Sequence, residues 1–145
     1  MQDPTHNPIS ATHIGNPGSA RNNGNQPQVS VILPCLDESE TLGTCIKKAQ
    51  KAMQGSGIEG EIIIADNGSS DGSAELAESL GARVVNIPRR GYGSALLGGF
   101  AEARGSILIM ADADDSYDLG ELPKFLEAIN NGADVRGYTA WSLID

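Results

Sequence analysis

Basic residues are scarce in this sequence: 10 Lys and Arg stand against 19 Asp and Glu, a formal charge of −9. No run of five or more bases interrupts that acidity, so wrapping or coating of nucleic acid through many phosphate contacts is not expected. Long apolar runs are missing too. The longest, Ile107 to Ala111, has five residues, far short of the ~20 that carry a helix across a bilayer. Only two cysteines occur, Cys35 and Cys45, without CxxC spacing or further ligands around them; they read as reduced core thiols. A dinucleotide fingerprint is absent, because Gly91 and Gly93 are followed by Leu96 where a third glycine is needed, and because they follow the third predicted strand instead of the first. The N-terminus shows neither the basic n-region nor the apolar h-region of a secretory signal.

What is present divides at Gln28. Residues 1–27 are rich in Asn, Pro, Gly and Ser with no apolar periodicity, and are expected to form a disordered tail, because they bury too little surface to offset their ordering entropy. His6 and His13 fall inside that tail, where only adventitious metal binding is expected. Residues 28–135 alternate short apolar runs with amphipathic stretches, the pattern of repeated βα units within one domain. Strands are predicted at Val29 to Leu33, Glu61 to Ala65, Arg83 to Ile87 and Ser106 to Met110, with the first stopping at Pro34. Helices are predicted over Ser39 to Gln54, around Leu76 to Leu80, over Ser94 to Ala103 with small residues suited to close packing, and from Leu122 to Asn130, with Pro123 in the first turn. A mainly parallel sheet in the order 3-2-1-4 follows. Its crevice would open beyond the carboxyl ends of the first and fourth strands, where the chain reverses direction across the sheet.

The loop after the fourth strand carries Asp112, Asp114, Asp115 and Asp118 within seven residues. Like charges so close repel unless a cation lies between them. In an extended segment Asp112 and Asp114 point the same way, and Mg²⁺ or Mn²⁺ is commonly held by one or two carboxylates plus phosphate oxygens. The alternative is a solvated loop that supplies negative charge to the next helix. An EF-hand is excluded, since Tyr117 and Pro123 stand where Gly and Glu are required. Asp115 and Asp118 are better explained as loop and capping carboxylates. Asp37 and Glu38 follow the first strand, and Asp66 and Asn67 the second; each is a candidate acceptor for ribose or base donors. Turn and capping chemistry competes for Asp66, Gly68 and Asp71. Arg89, Arg90, Gly91, Tyr92 and Gly93 form the one locally basic, glycine-flanked turn, placed to open a helix toward a diphosphate or to be simply solvated.

Taken together, VSVILPCLDESETL, EIIIADNGSSDGS, RGYGSALLGGFAEARG and ILIMADADDSYD resemble the nucleotide-diphospho-sugar transferases of glycosyltransferase family 2, an α/β, Rossmann-like GT-A fold. The resemblance is greatest to the branch that makes polyprenyl-phosphate sugars. It implies that Pro34, Leu36, Asp37 and Glu38 border the nucleotide, that Asp66 contacts its base, and that Arg90 and Gly91 lie near the diphosphate. It further implies that Asp112 and Asp114 hold Mg²⁺ or Mn²⁺, that Ala113 contacts the nucleotide through its backbone, and that Ser116 completes the metal shell. The implied reaction is inverting transfer from a UDP- or GDP-sugar to an acceptor such as a polyprenyl phosphate, in the cytoplasm or at the cytoplasmic face of a membrane. No catalytic base is assigned.

The likeness covers 29 to about 135. The strand expected at Gly132 to Val135 breaks off at Arg136, and 136–145 (RGYTAWSLID) lacks the apolar continuation of the family, so a truncated product, with a shifted reading frame as its origin, is the expectation. Two other readings stand beside transfer: a noncatalytic nucleotide-binding fragment, and a related nucleotidyltransferase, which PCLDESE disfavours because it lacks a Gly-rich basic loop.

Overall fold

In a computed structural model, which describes residues 9–13, 26–116, 118–132 and 138–139, a six-stranded sheet carries helices on both faces. The strands are β1 (Ile9–His13), β2 (Val29–Cys35), β3 (Gly60–Asp66), β4 (Arg83–Asn86), β5 (Ile107–Ala111) and β6 (Tyr138–Thr139). The helices are α1 (Ser39–Gly55), α2 (Ser73–Ser79), α3 (Tyr92–Glu102) and α4 (Leu122–Asn130), the last entered through a 3-10 turn at Leu119–Glu121. The strand order is β4-β3-β2-β5-β1-β6. β2 pairs in parallel with β3 and β5, and β3 with β4, which is the arrangement expected of four βα units.

Period-two alternation sorts the strand residues between two cores. Val29, Val31, Leu33, Ile62, Ile64, Ile107 and Ile109 face α1, α2 and α4, meeting Leu42, Cys45, Ile46, Ala49, Ala77, Leu122 and Leu126. Ile32, Ile63, Ala65, Leu108 and Met110 face α3, meeting Ala95 and Leu96. Each fully buried aliphatic side chain contributes roughly 1.5–3 kcal/mol. The α3 layer is thin because its small residues let it sit close. A Cβ on Gly99 would stand 2.6 Å from Ile32 Cγ2, and one on Gly98 2.3 Å from Ile87 Cδ1.

Two expectations change. β2 runs through Pro34 to Cys35 instead of stopping at the proline. The Cys35 carbonyl accepts from Asn67 N–H on the β3 side, so Pro34, one residue earlier, faces the other side, where pairing with β5 has ended at Ile32. Its missing N–H therefore costs no ladder bond. The second change lies in the expected tail, where Ile9–His13 forms β1, antiparallel to β5 in the register Ile9↔Ala111 to His13↔Ile107 and also paired with β6. Without it the outer edge of β5 would leave a row of backbone groups unpaired, and such pairing needs no apolar periodicity to announce it. The strand expected at Gly132 to Val135 falls largely outside the described residues. Both cysteines are free and buried, as expected.

Candidate functional site

A cleft of about 460 Å³ opens beyond the carboxyl ends of β2 and β5, at the point where the chain reverses across the sheet. Pro34, Cys35, Leu36, Glu38, Asn67, Arg90, Gly91, Tyr92, Ala95, Asp112, Ala113 and Asp114 line it. A hollow of about 620 Å³ near the start of β3 has Glu59 as its one charged lining residue and gathers no comparable chemistry.

The floor is built by loops that hold one another. Asp37, at φ +52°, accepts from Ser70 N–H at 2.7 Å, and its own N–H donates to Ser69 Oγ at 2.9 Å. The N–H of Glu38 donates to Ser73 Oγ at 3.1 Å and that of Ser39 to Asp71 Oδ2 at 2.9 Å, so the α2 loop caps the start of α1. Bonds from the Ser73 hydroxyl and the Ser39 N–H hold the Asp71 carboxyl well below the usual range. Asn67 clamps the turn before α3. Its amide donates to the carbonyls of Ile87 and Arg89, both at 2.9 Å, and its oxygen accepts from Gly91 N–H at 2.9 Å. Gly91, at φ +121°, permits the sharp entry into α3. The Arg90 guanidinium lies over Gly68, within 3.6 Å of where a Cβ would stand. This wall thus combines Arg90 with the partly positive first turn of α3.

The opposite wall is acidic. The chain turns at Ala113 and Asp114 immediately after β5, instead of continuing extended, and leaves Asp112 half-buried and Asp114 exposed, both on the cleft. Tyr92 O–H donates to Asp112 Oδ1 at 2.9 Å from across the cleft. Asp114 Oδ1 accepts from Ser116 N–H at 3.0 Å and from the Ser116 hydroxyl. One face of α1 supports this loop from below. Thr41 Oγ1 donates to the Ala113 carbonyl at 2.7 Å, Cys45 Sγ approaches the Asp112 carbonyl at 3.9 Å, and Lys48 pairs with Asp115 at 2.9 Å. Asp118 accepts from Gly120 N–H at 2.9 Å and caps the 3-10 turn. Burial, then repulsion from Asp114, raises the Asp112 carboxyl above its ordinary value. Glu38 is raised by burial and by the charges of Asp114 and Asp112.

Among the described residues no three His, Cys, Asp or Glu side chains are grouped to enclose a metal. The donor set nevertheless fits a hard divalent cation. Asp112 and Asp114 present mutually repelling carboxylate oxygens to an open cleft, where substrate and water oxygens could complete the shell of such a cation. The Ser116 hydroxyl is engaged by Asp114 and does not line the cleft.

Of the other sequence candidates, Pro34, Leu36, Glu38, Arg90, Gly91 and Ala113 come together on the cleft, while Asp37 and Asp66 do not line it. Asp66 Oδ2 accepts from the N–H groups of Gly68 and Ser69, and its Oδ1 is buried without a partner. Asn67 spends its amide on the α3 turn and acts as a brace, not as a free acceptor. From the sequence Tyr92 was visible only as a member of the basic turn, and Thr41 and Lys48 had no role. The i, i+4, i+7 spacing of Thr41, Cys45 and Lys48 was a visible signal, but its partner, the acidic loop, is remote in sequence.

The mainly parallel sheet with a cleft at its switch point is the fold of GT-A glycosyltransferases, as the solved structures that it matches show. The glucosyl-3-phosphoglycerate synthase of Mycobacterium tuberculosis, solved with Mn²⁺, uridine diphosphate and glucosyl-3-phosphoglycerate, matches with a TM-score of 0.60 and 26% identity, over 82% of this chain and 45% of that one. The family model for glycosyl transferase family 2 matches residues 30–140, and the chain belongs to that family. The low-salt glycan biosynthesis hexosyltransferase Agl6 of Haloferax volcanii is 39% identical over 106 residues, 73% of this chain and 25% of that protein. The dolichol-phosphate mannosyltransferase of Pyrococcus furiosus is 36% identical over 113 residues, 74% of this chain and 32% of that protein. The chain thus spans a quarter to a third of these two relatives. Among the described residues no helix is long and apolar enough to cross a membrane.

Proposed function

We propose that this chain carries the donor half of a metal-dependent, inverting glycosyltransferase, which takes a UDP- or GDP-sugar and serves a polyprenyl phosphate as acceptor at the cytoplasmic face of a membrane. One observation carries the reading: the cleft sets Asp112 and Asp114 opposite Arg90 and the first turn of α3. A diphosphate with its cation is the ligand whose charge suits both walls. Relatives that act on dolichol phosphate and undecaprenyl phosphate support the acceptor class.

In this reading Pro34, Leu36, Glu38 and the Ala113 backbone border the nucleoside, and Asp66 Oδ1, buried without a partner outside that lining, takes a donor from the base only once the turn at Gly68 and Ser69 has moved aside. Asp112 and Asp114 hold Mg²⁺ or Mn²⁺, with Ser116 joining the shell once its hydroxyl leaves Asp114. A bound cation supplies Lewis-acid stabilisation of the departing nucleoside diphosphate. Arg90 and the α3 first turn neutralise the same diphosphate from the other side. The clamped loops hold these groups in place before the donor arrives, which lowers the reorganisation that transfer requires.

A second reading is a nucleotide-binding unit without transfer, since the charged walls of the cleft suit a diphosphate and its cation on their own. Incubating the chain with radiolabelled UDP-glucose or GDP-mannose, Mn²⁺ and undecaprenyl phosphate in detergent micelles separates the two. Label entering the lipid phase supports transfer. Nucleotide binding without lipid label supports the second reading, and absence of both rejects the donor assignment.

A further inference from the structure

Resting on the reading of Asp112 as a metal ligand, we infer that Tyr92 is a positioning residue that orients the Asp112 carboxylate and thereby couples the cation to the diphosphate turn. Tyr92 is the first residue of α3, directly after Gly91, whose N–H is fixed by Asn67 Oδ1 at 2.9 Å. The phenol therefore projects from a braced backbone. It crosses the cleft to donate to Asp112 Oδ1 at 2.9 Å, while the Asp112 backbone carbonyl lies beside Cys45 Sγ on the α1 side. A carboxylate with two repelling neighbours, Asp114 and Glu38, would otherwise swing away from them. The phenol donor counters that swing by occupying a lone pair of Oδ1, which leaves Oδ2 free for a cation. Donors of this kind, one bond removed from the metal, set the orientation and basicity of its ligands. Tyr92 also lines the cleft together with Arg90 and Gly91, so the residue that bonds the acidic wall belongs to the turn that forms the basic one. Movement of the α3 turn around a diphosphate would be transmitted to Asp112 through this one bond.

The Tyr92→Phe variant removes the hydroxyl and keeps the ring. Mn²⁺ binding is read from the loss of the free-ion paramagnetic resonance signal, with and without UDP or GDP, and nucleotide binding in chelator is measured calorimetrically beside it. The inference predicts that Mn²⁺ affinity falls about tenfold, with nucleotide affinity in chelator changed less than twofold and the melting temperature nearly constant. It also predicts that the enhancement of Mn²⁺ binding by the nucleotide shrinks. Unchanged Mn²⁺ affinity would overturn it, and so would tighter binding, which would show the phenol competing with the cation for Asp112. Parallel loss of chelator-state binding and melting temperature would overturn it in favour of a purely structural role. If the wild-type chain binds Mn²⁺ no better than Asp114→Asn does, the metal-site reading itself fails. If wild type exceeds Asp114→Asn but equals Tyr92→Phe, only the role of Tyr92 fails.

Discussion

Asp112 bears the cost of the site. Burial and Asp114 raise its carboxyl above the ordinary 3.8, so between that value and its native one the folded chain holds a proton that the unfolded chain has released. Stability therefore falls as pH rises through this window and stays lower above it. Asp112→Asn is expected to raise the melting temperature of the metal-free chain by a few degrees at pH 7, and to abolish the further rise that Mn²⁺ gives the wild type. Differential scanning fluorimetry with Mn²⁺ or chelator checks both. Asn67→Ala strips a buried brace of three bonds at 2.9 Å and is expected to destabilise by about 1–3 kcal/mol, measured by urea denaturation. The acidic pair was legible because four aspartates followed an apolar strand. The brace was not, because an Asn after a strand looks the same whether it meets a ligand or a neighbouring turn.

The elements were legible wherever apolar period and glycine agreed. α1 and α4 start where expected and end within one residue of expectation, since Leu42, Cys45, Ile46, Ala49 and Met53 mark one buried face of α1 and Pro123 marks the start of α4. Close packing of α3 was also readable from its small residues, and it yields a test. Gly99→Ala places a methyl 2.6 Å from Ile32 Cγ2 and 3.3 Å from Ala65 Cβ, an overpacking expected to cost about 1–3 kcal/mol in chemical denaturation. Pro34 misled because its strand-breaking effect depends on which side of β2 still has a neighbour. β1 was hidden because an edge strand is held by backbone bonds, to which composition is blind. Removing residues 1–25 is expected to expose the outer edge of β5 and to shift the chain toward self-association, seen as earlier elution in size-exclusion chromatography.

At the scale of the molecule, a chain of charge −9 sets a basic wall, Arg90 and the α3 turn, against the acidic loop, and family membership over residues 30–140 places that pairing in a glycosyltransferase setting. The fold class was legible in the sequence because four βα units in a row leave few topologies. The mutual bracing of the loops was not, because Asp37 with Ser70, Ser39 with Asp71 and Thr41 with Ala113 meet only after the sheet has formed. The central claim is that the two aspartates bind a nucleoside diphosphate through a cation. Calorimetric titration of the wild-type chain and Asp114→Asn with UDP and GDP, each with Mn²⁺ or chelator, tests it most directly. The account predicts that one nucleotide binds the wild type at least about tenfold tighter with Mn²⁺ and that Asp114→Asn loses the difference; equal affinities with Mn²⁺ and chelator in the wild type would contradict it.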